Sequence, residues 1–140
     1  APSSPNYDEL IVQSTPETTG VPLTGSGSTI SNLTEEVSTL ADGKGTVLGT
    51  PGMVSDDLDS GGVYGTIPSS ISDGTVPDGD YVTVYDGNTE LYSYPVETDT
   101  LGASESPIVT SGTSIDSGVL PFEEYPISID YNNGDIYLDK

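Results

Sequence analysis

Two cations stand against 23 acids: Lys44 and Lys140 are the whole basic complement of this chain, which has no His, and the net charge is −21. Like charge at that density opposes compaction in dilute buffer. At molar salt the Debye length falls to roughly 3 Å and the same repulsion is nearly silent. An acidic surface stripped of lysine therefore predicts a protein of a hypersaline setting. The charge also excludes partners. Two lysines cannot neutralise a run of phosphates, so no nucleic acid is expected to bind, and no anionic membrane surface for the same reason. No apolar run approaches the roughly 18 residues of a membrane-spanning helix.

Hydrophobic residues make up 32% of the 140 residues, and 17 Gly and 11 Pro punctuate them. That balance suits turns and short strands better than long helices. The expected fold is mainly β: a small Ig-like sandwich or barrel with one short helix and an extended N-terminal arm. Residues 1–29 read as arm and linker, and residues 30–140 as a single β-rich domain. Pro2 and Pro5 keep the arm from being helical. Beyond them, Leu10, Ile11 and Val12 form an apolar strand isolated by a Thr/Gly/Ser/Pro linker, and are interface residues that could be donated to a neighbouring copy. The helix is predicted over 30–40, where Ile30, Leu33, Val37 and Leu40 make one apolar stripe. Asn32 would cap it and Gly43 would end it.

Two hairpins stand out. In Asp80–Val96, turning at Asp86-Gly87-Asn88, alternation groups Val82, Val84 and Leu91 on one face and Tyr81, Thr83, Tyr85, Tyr92 and Tyr94 on the other. Nine Tyr against one Phe and no Trp is unusual. Tyr buries a large ring while keeping a hydroxyl for a partner, so Tyr81, Tyr85, Tyr92 and Tyr94 read as a contact surface. In the last hairpin, Asn133-Gly134 is the favoured type I′ pair. It predicts Tyr131 opposite Ile136 and Ile129 opposite Leu138, with Ile127, Ile129, Tyr131, Ile136 and Leu138 on one face.

Chemistry has few parts to work with. Without His or Cys there is no nucleophile–base pair of the usual kinds. Two carboxylates can run glycoside hydrolysis, but among 23 scattered acids every pair is a chance pair. No enzyme is expected. Asp56-Asp57-Leu58-Asp59-Ser60-Gly61 opens like a calcium loop but lacks the distal bidentate Glu. Asp57 and Asp59 are therefore the candidate ligands for a structural Ca²⁺, Mg²⁺ or Na⁺ ion, and a solvated acidic loop is the plainer reading. Asp73, Asp78 and Asp80 form a similar cluster. No other cofactor is expected. Asn32-Leu33-Thr34 is a formal glycosylation sequon.

The ending PISIDYNNGDIYLDK resembles a hairpin, V-D-Y-x-x-G-x-I-x-L, of small β-rich head and tail proteins of tailed viruses. Joined to the acidic charge, the resemblance implies a virion structural protein of a haloarchaeal virus: a capsid decoration, turret or tail component, working by assembly at high salt with copies of itself or other virion proteins. It implies no catalytic residue. Two rival readings are a secreted surface or filament subunit using strand donation, and a small receptor- or sugar-binding module.

Overall fold

The computed structural model describes residues 21–26, 29–39, 47–72, 74–98, 101–130 and 133–138. Ten strands and one helix lie among them: β1 Val21–Ser26, β2 Thr29–Ser38, β3 Val47–Asp57, β4 Thr66–Pro68, β5 Tyr81–Asp86, β6 Thr89–Pro95, β7 Ile108–Thr110, β8 Ile115–Asp116, α1 Leu120–Glu124, β9 Ile127–Asp130 and β10 Asp135–Leu138. The mainly β class and the one short helix hold. The strands join one mixed sheet in the order β7-β4-β8-β3-β2-β1-β10-β9. The hairpin β5–β6 attaches to β2 beside β1.

The helix is not where the 3- and 4-residue spacing predicts it. Residues 30–38 are the central strand, paired with β3 along one edge and with β1 and β5 along the other. The apolar spacing has a different cause. Register shifts fall between Ile30 and Leu33 and between Glu35 and Val37. The first shift puts one extra residue on β2 and resets its alternation, whereas the second puts its extra residues on β3. The strand therefore buries Ile30, Leu33, Glu35 and Val37, and with the polar Glu35 passed over, the apolar positions imitate a helical stripe. Asn32, at the first shift, has φ +62 and is exposed, a conformation Asn tolerates well. The actual helix carries Pro121 in its first turn and packs on β6. Residues 21–26, within the segment read as linker, are β1, which pairs with β10 from Val21↔Leu138 to Thr24↔Asp135.

The β5–β6 hairpin turns through Gly87-Asn88, with Asp86 opposite Thr89 and Gly87 at φ +60. Gly first in a two-residue loop suits a II′ turn. The register differs from the predicted grouping: Val82 faces Tyr94 and Val84 faces Tyr92, with a shift between Val84 and Tyr85. Directly opposed residues share a face, so Tyr92 and Tyr94 lie with the valines. They are buried at 2% and 3% exposure, with stacked rings 6.2 Å apart. These two tyrosines belong to the core and are not a contact surface, whereas Tyr81 and Tyr85 are half-buried. Tyr85 donates its hydroxyl to Glu36 Oε1 at 3.1 Å. Leu10, Ile11 and Val12 lie outside the described residues.

The terminal hairpin pairs Ile129 with Ile136 and Ile127 with Leu138, a slip of two residues from the predicted register. Because the slip is even, the apolar face survives. The cause is Asp130. Its Oδ1 accepts the Asn133 N–H at 3.2 Å, its Oδ2 accepts the Asn133 side-chain amide at 2.6 Å, and its carbonyl accepts the Gly134 N–H at 2.9 Å. Those bonds hold Asn133 and Gly134 at the entry to β10, where Gly134 takes φ +73.

Candidate active site

Strand alternation decides which acids of β3 meet water. Val54, Asp56 and Leu58 point inward and are buried, while Met53, Asp57 and Asp59 are exposed. β3 ends at Asp57, and the chain turns through Asp59-Ser60-Gly61-Gly62. Beside it, β8 runs parallel, with Asp56↔Ile115 and Asp57↔Asp116, and leads into Asp116-Ser117-Gly118. Two Asp-Ser-Gly triplets, 57 residues apart in sequence, thus leave neighbouring parallel strands in the same direction.

The triplets are built alike. Asp59 Oδ1 accepts the Gly61 N–H at 2.8 Å, and Asp116 Oδ1 accepts the Gly118 N–H at 2.9 Å. Each Asp thereby closes a turn with its own side chain. They are also tied together. The Asp59 N–H donates to Ser117 Oγ at 3.1 Å, and the Ser117 N–H donates to the Asp57 carbonyl at 2.9 Å. The Val119 N–H donates to the Val63 carbonyl at 2.7 Å. Glycine makes this approach possible. Gly65 has φ +74 and Gly118 φ +61, and a Cβ on Gly118 would stand 2.5 Å from the Gly65 nitrogen. A Cβ on Gly62 would run into the Asp116 carboxylate. Of the two carboxylates, that of Asp59 is exposed and that of Asp116 half-buried.

A second acidic centre lies beneath. Glu35 occupies an inward position of β2 at 1% exposure, and Asp56 one of β3 at 0%. Burial, reinforced by the Asp56 charge, raises the Glu35 carboxyl to about 9. Burial raises Asp56 to about 7, aided by Asp57 and Asp116 and opposed by a hydrogen bond from Tyr92. That bond, from the Tyr92 hydroxyl to Asp56 Oδ2, is 2.7 Å long. Among the described residues, Glu35 Oε1 and Asp56 Oδ1 have no hydrogen-bond partner. Burial also raises Tyr92 and Tyr94 well above the ordinary phenol value. Neither of these carboxyls meets solvent, so the reacting carboxylate is to be sought in the exposed triplet.

Of the residues singled out as metal ligands, Asp57 and Asp59 lie on the outer face at the end of β3. Among the described residues no three acids gather as a metal cluster would. Asp116 and Ser117 escape a sequence reading that treats acids singly. The signal that could find them is the repeat itself: an apolar residue followed by Asp-Ser-Gly, at Leu58–Gly61 and again at Ile115–Gly118.

Comparison with known proteins decides the family. Residues 6–137 match the PE-PGRS C-terminal aspartyl peptidase-like domain. The chain belongs to that family. Two curated relatives, both named PE cleavage protein A and both from Mycobacterium tuberculosis (strains CDC 1551 / Oshkosh and ATCC 25618 / H37Rv), are 39% identical to it over 87 residues. The matched stretch is 60% of this chain and spans 14% of the length of those relatives. No solved structure matches.

Membership of an aspartyl peptidase-like family, with mycobacterial relatives, overturns the virion reading in each part: the haloarchaeal virus, the capsid, turret or tail role, and the location in a virion. It equally displaces the filament-subunit and receptor-binding readings, and corrects the expectation that the chain is not an enzyme. The resemblance to tailed-virus hairpins rests on Asn-Gly turn chemistry and alternation, which any β-hairpin can share. The acidic composition says what the chain repels and says nothing of its host.

Proposed function

We propose that this chain supplies a catalytic carboxylate, Asp59, for hydrolysis of peptide bonds in protein substrates by the aspartic mechanism. The observation that carries the reading is the exposed Asp59 carboxylate, locked at the end of β3 by the second Asp-Ser-Gly triplet in a chain of an aspartyl peptidase-like family. The name of the relatives attributes cleavage to those proteins. Extending it to protein substrates of this chain is part of the proposal.

Aspartic chemistry uses two carboxyls sharing one proton. The ionised one takes a proton from water as its oxygen attacks the carbonyl carbon, while the protonated one donates to the carbonyl oxygen. The resulting diol collapses as the C–N bond breaks and the amine leaves with a proton. Asp59 fits one of these roles, because it is open to solvent and its Oδ1 is already oriented by the Gly61 N–H. Asp116 is half-buried and bound into its own turn, so we assign it to the scaffold. The exposed side of Asp59 then receives the companion carboxylate from another segment or another copy of the protein.

The test is hydrolysis of denatured casein by the intact protein across pH 3 to 7. Asp59→Asn should lower the rate by about a hundredfold or more, with the thermal midpoint little changed. Asp116→Asn should act mainly by lowering stability. Full activity of the Asp59 variant would refute the reading.

A further inference from the structure

We infer that Ser117 is a positioning residue for Asp59, its hydroxyl fixing the backbone from which the reacting carboxylate projects. The inference rests on the role proposed for Asp59 and adds to it a residue that touches no substrate.

Ser117 is 2% exposed, so its side chain does not serve solvent. Its Oγ accepts the Asp59 N–H at 3.1 Å and donates to the Gly118 carbonyl at 3.0 Å. A hydroxyl holds one proton and two lone pairs, so giving the proton to Gly118 leaves the oxygen as an acceptor aimed at Asp59. Ser117 is itself fixed, because its N–H donates to the Asp57 carbonyl at 2.9 Å. The loop from Asp57 to Asp59 is therefore clamped at both ends by one residue of the other triplet. Asp59 Oδ1 is held from the far side by the Gly61 N–H. Backbone and carboxylate of Asp59 are thus set independently, and only the first depends on Ser117. Asp116 and Gly118 hold each other through the second turn, which leaves the Ser117 side chain free of that task.

A structural role alone would also predict some loss on removing this hydroxyl, so the test needs a matched control. Thr83 supplies one: it is 1% exposed, and its Oγ1 lies 2.8 Å from Ser93 Oγ, on the β5–β6 hairpin and outside both triplets. Ser117→Ala and Thr83→Ala each delete one buried hydroxyl hydrogen bond. In the intact protein, with denatured casein as probe, Ser117→Ala should lower kcat by roughly ten- to a hundredfold with KM nearly unchanged, as expected when a reacting group drifts by a fraction of an ångström to about 1 Å. Thr83→Ala should leave kcat within about twofold at a comparable fall in Tm. NMR hydrogen exchange gives a second readout that needs no turnover: the Asp59 amide should exchange at least tenfold faster in Ser117→Ala, and the Gly61 amide should not. Unchanged kcat and unchanged Asp59 exchange would overturn the proposal. So would an equal loss of kcat in Thr83→Ala. If Asp59→Asn keeps its activity while Ser117→Ala still exposes the Asp59 amide, the catalytic role of Asp59 fails and Ser117 stands only as a structural clamp.

Discussion

The Tyr92 hydroxyl reaches Asp56 Oδ2 at 2.7 Å, joining β6 to β3 across two intervening strands, at a place where neither residue meets solvent. Neighbouring strands lie about 4.8 Å apart, so in a flat sheet β3 and β6 would be separated by about three such spacings. The bond is made because the sheet curls. It fastens the interior directly beneath the strand end that carries Asp59.

Tyr92→Phe should therefore destabilise the protein by about 1–3 kcal/mol at neutral pH, the cost of leaving a buried acceptor unpaired. Because the Tyr92 hydrogen bond lowers the Asp56 value, the loss should be larger near pH 8, where the carboxylate is ionised, than near pH 5. Chemical denaturation at the two pH values measures the difference. An equal loss at both would argue against the bond stabilising the ionised form.

Stability should fall as pH rises, and the sign follows from Glu35 and Asp56. Burial raises their values to about 9 and about 7, from ordinary values of 4.5 and 3.8. Between the ordinary and the raised values the folded protein holds protons that the unfolded chain has released. The native state then binds more protons, so ΔG of unfolding decreases with pH. The stabilisation from these carboxyls is fully present below about pH 4, and is lost as pH rises through about 7 for Asp56 and about 9 for Glu35. Urea midpoints from pH 5 to 9 should decline, and Glu35→Gln should flatten the decline. Midpoints rising over that range would refute this account.

The glycine contact between the triplets gives a sharp contrast. Gly118→Ala places a Cβ against the Gly65 nitrogen at φ +61 and should cost more than about 2 kcal/mol, with activity lost as well. Gly102 has φ +85 with open space around it. There the same change should cost only about 1 kcal/mol, the price of the backbone conformation alone. Thermal unfolding of the two variants side by side checks the prediction.

In the terminal hairpin, Asp130→Ala removes two side-chain hydrogen bonds to Asn133 and should destabilise by about 1–2 kcal/mol. Asp130→Asn should retain part of that stability, since an amide oxygen still accepts from the Asn133 N–H. Equal losses in both variants would show that charge, and not acceptor geometry, holds the loop.

Local chemistry was legible in the sequence where it acts over a few residues. Alternation and turn residues located the hairpins at 81–95 and 127–138, and the Gly, Pro and β-branched content set the mainly β class. Asp59 also stood out as a functional position, though for a metal that its neighbours in the chain do not complete. Three things depended on contacts distant in sequence. Residues 30–38 form a strand because β3 and β5 hold it on both edges, and without those partners its apolar spacing reads as a helix. Tyr92 and Tyr94 are core residues because the β5–β6 register turns them inward, whereas alternation alone cannot say which face a curled sheet will bury. The site itself depends on Asp59 meeting Ser117 across 58 positions, through a parallel pairing of β3 with β8. Periodicity and turn propensity are properties of neighbouring residues; parallel pairing is decided only when the whole sheet forms, and so the sequence by itself determined the β class and the two hairpins, while the tertiary structure decided which acids meet water and which are buried in the core.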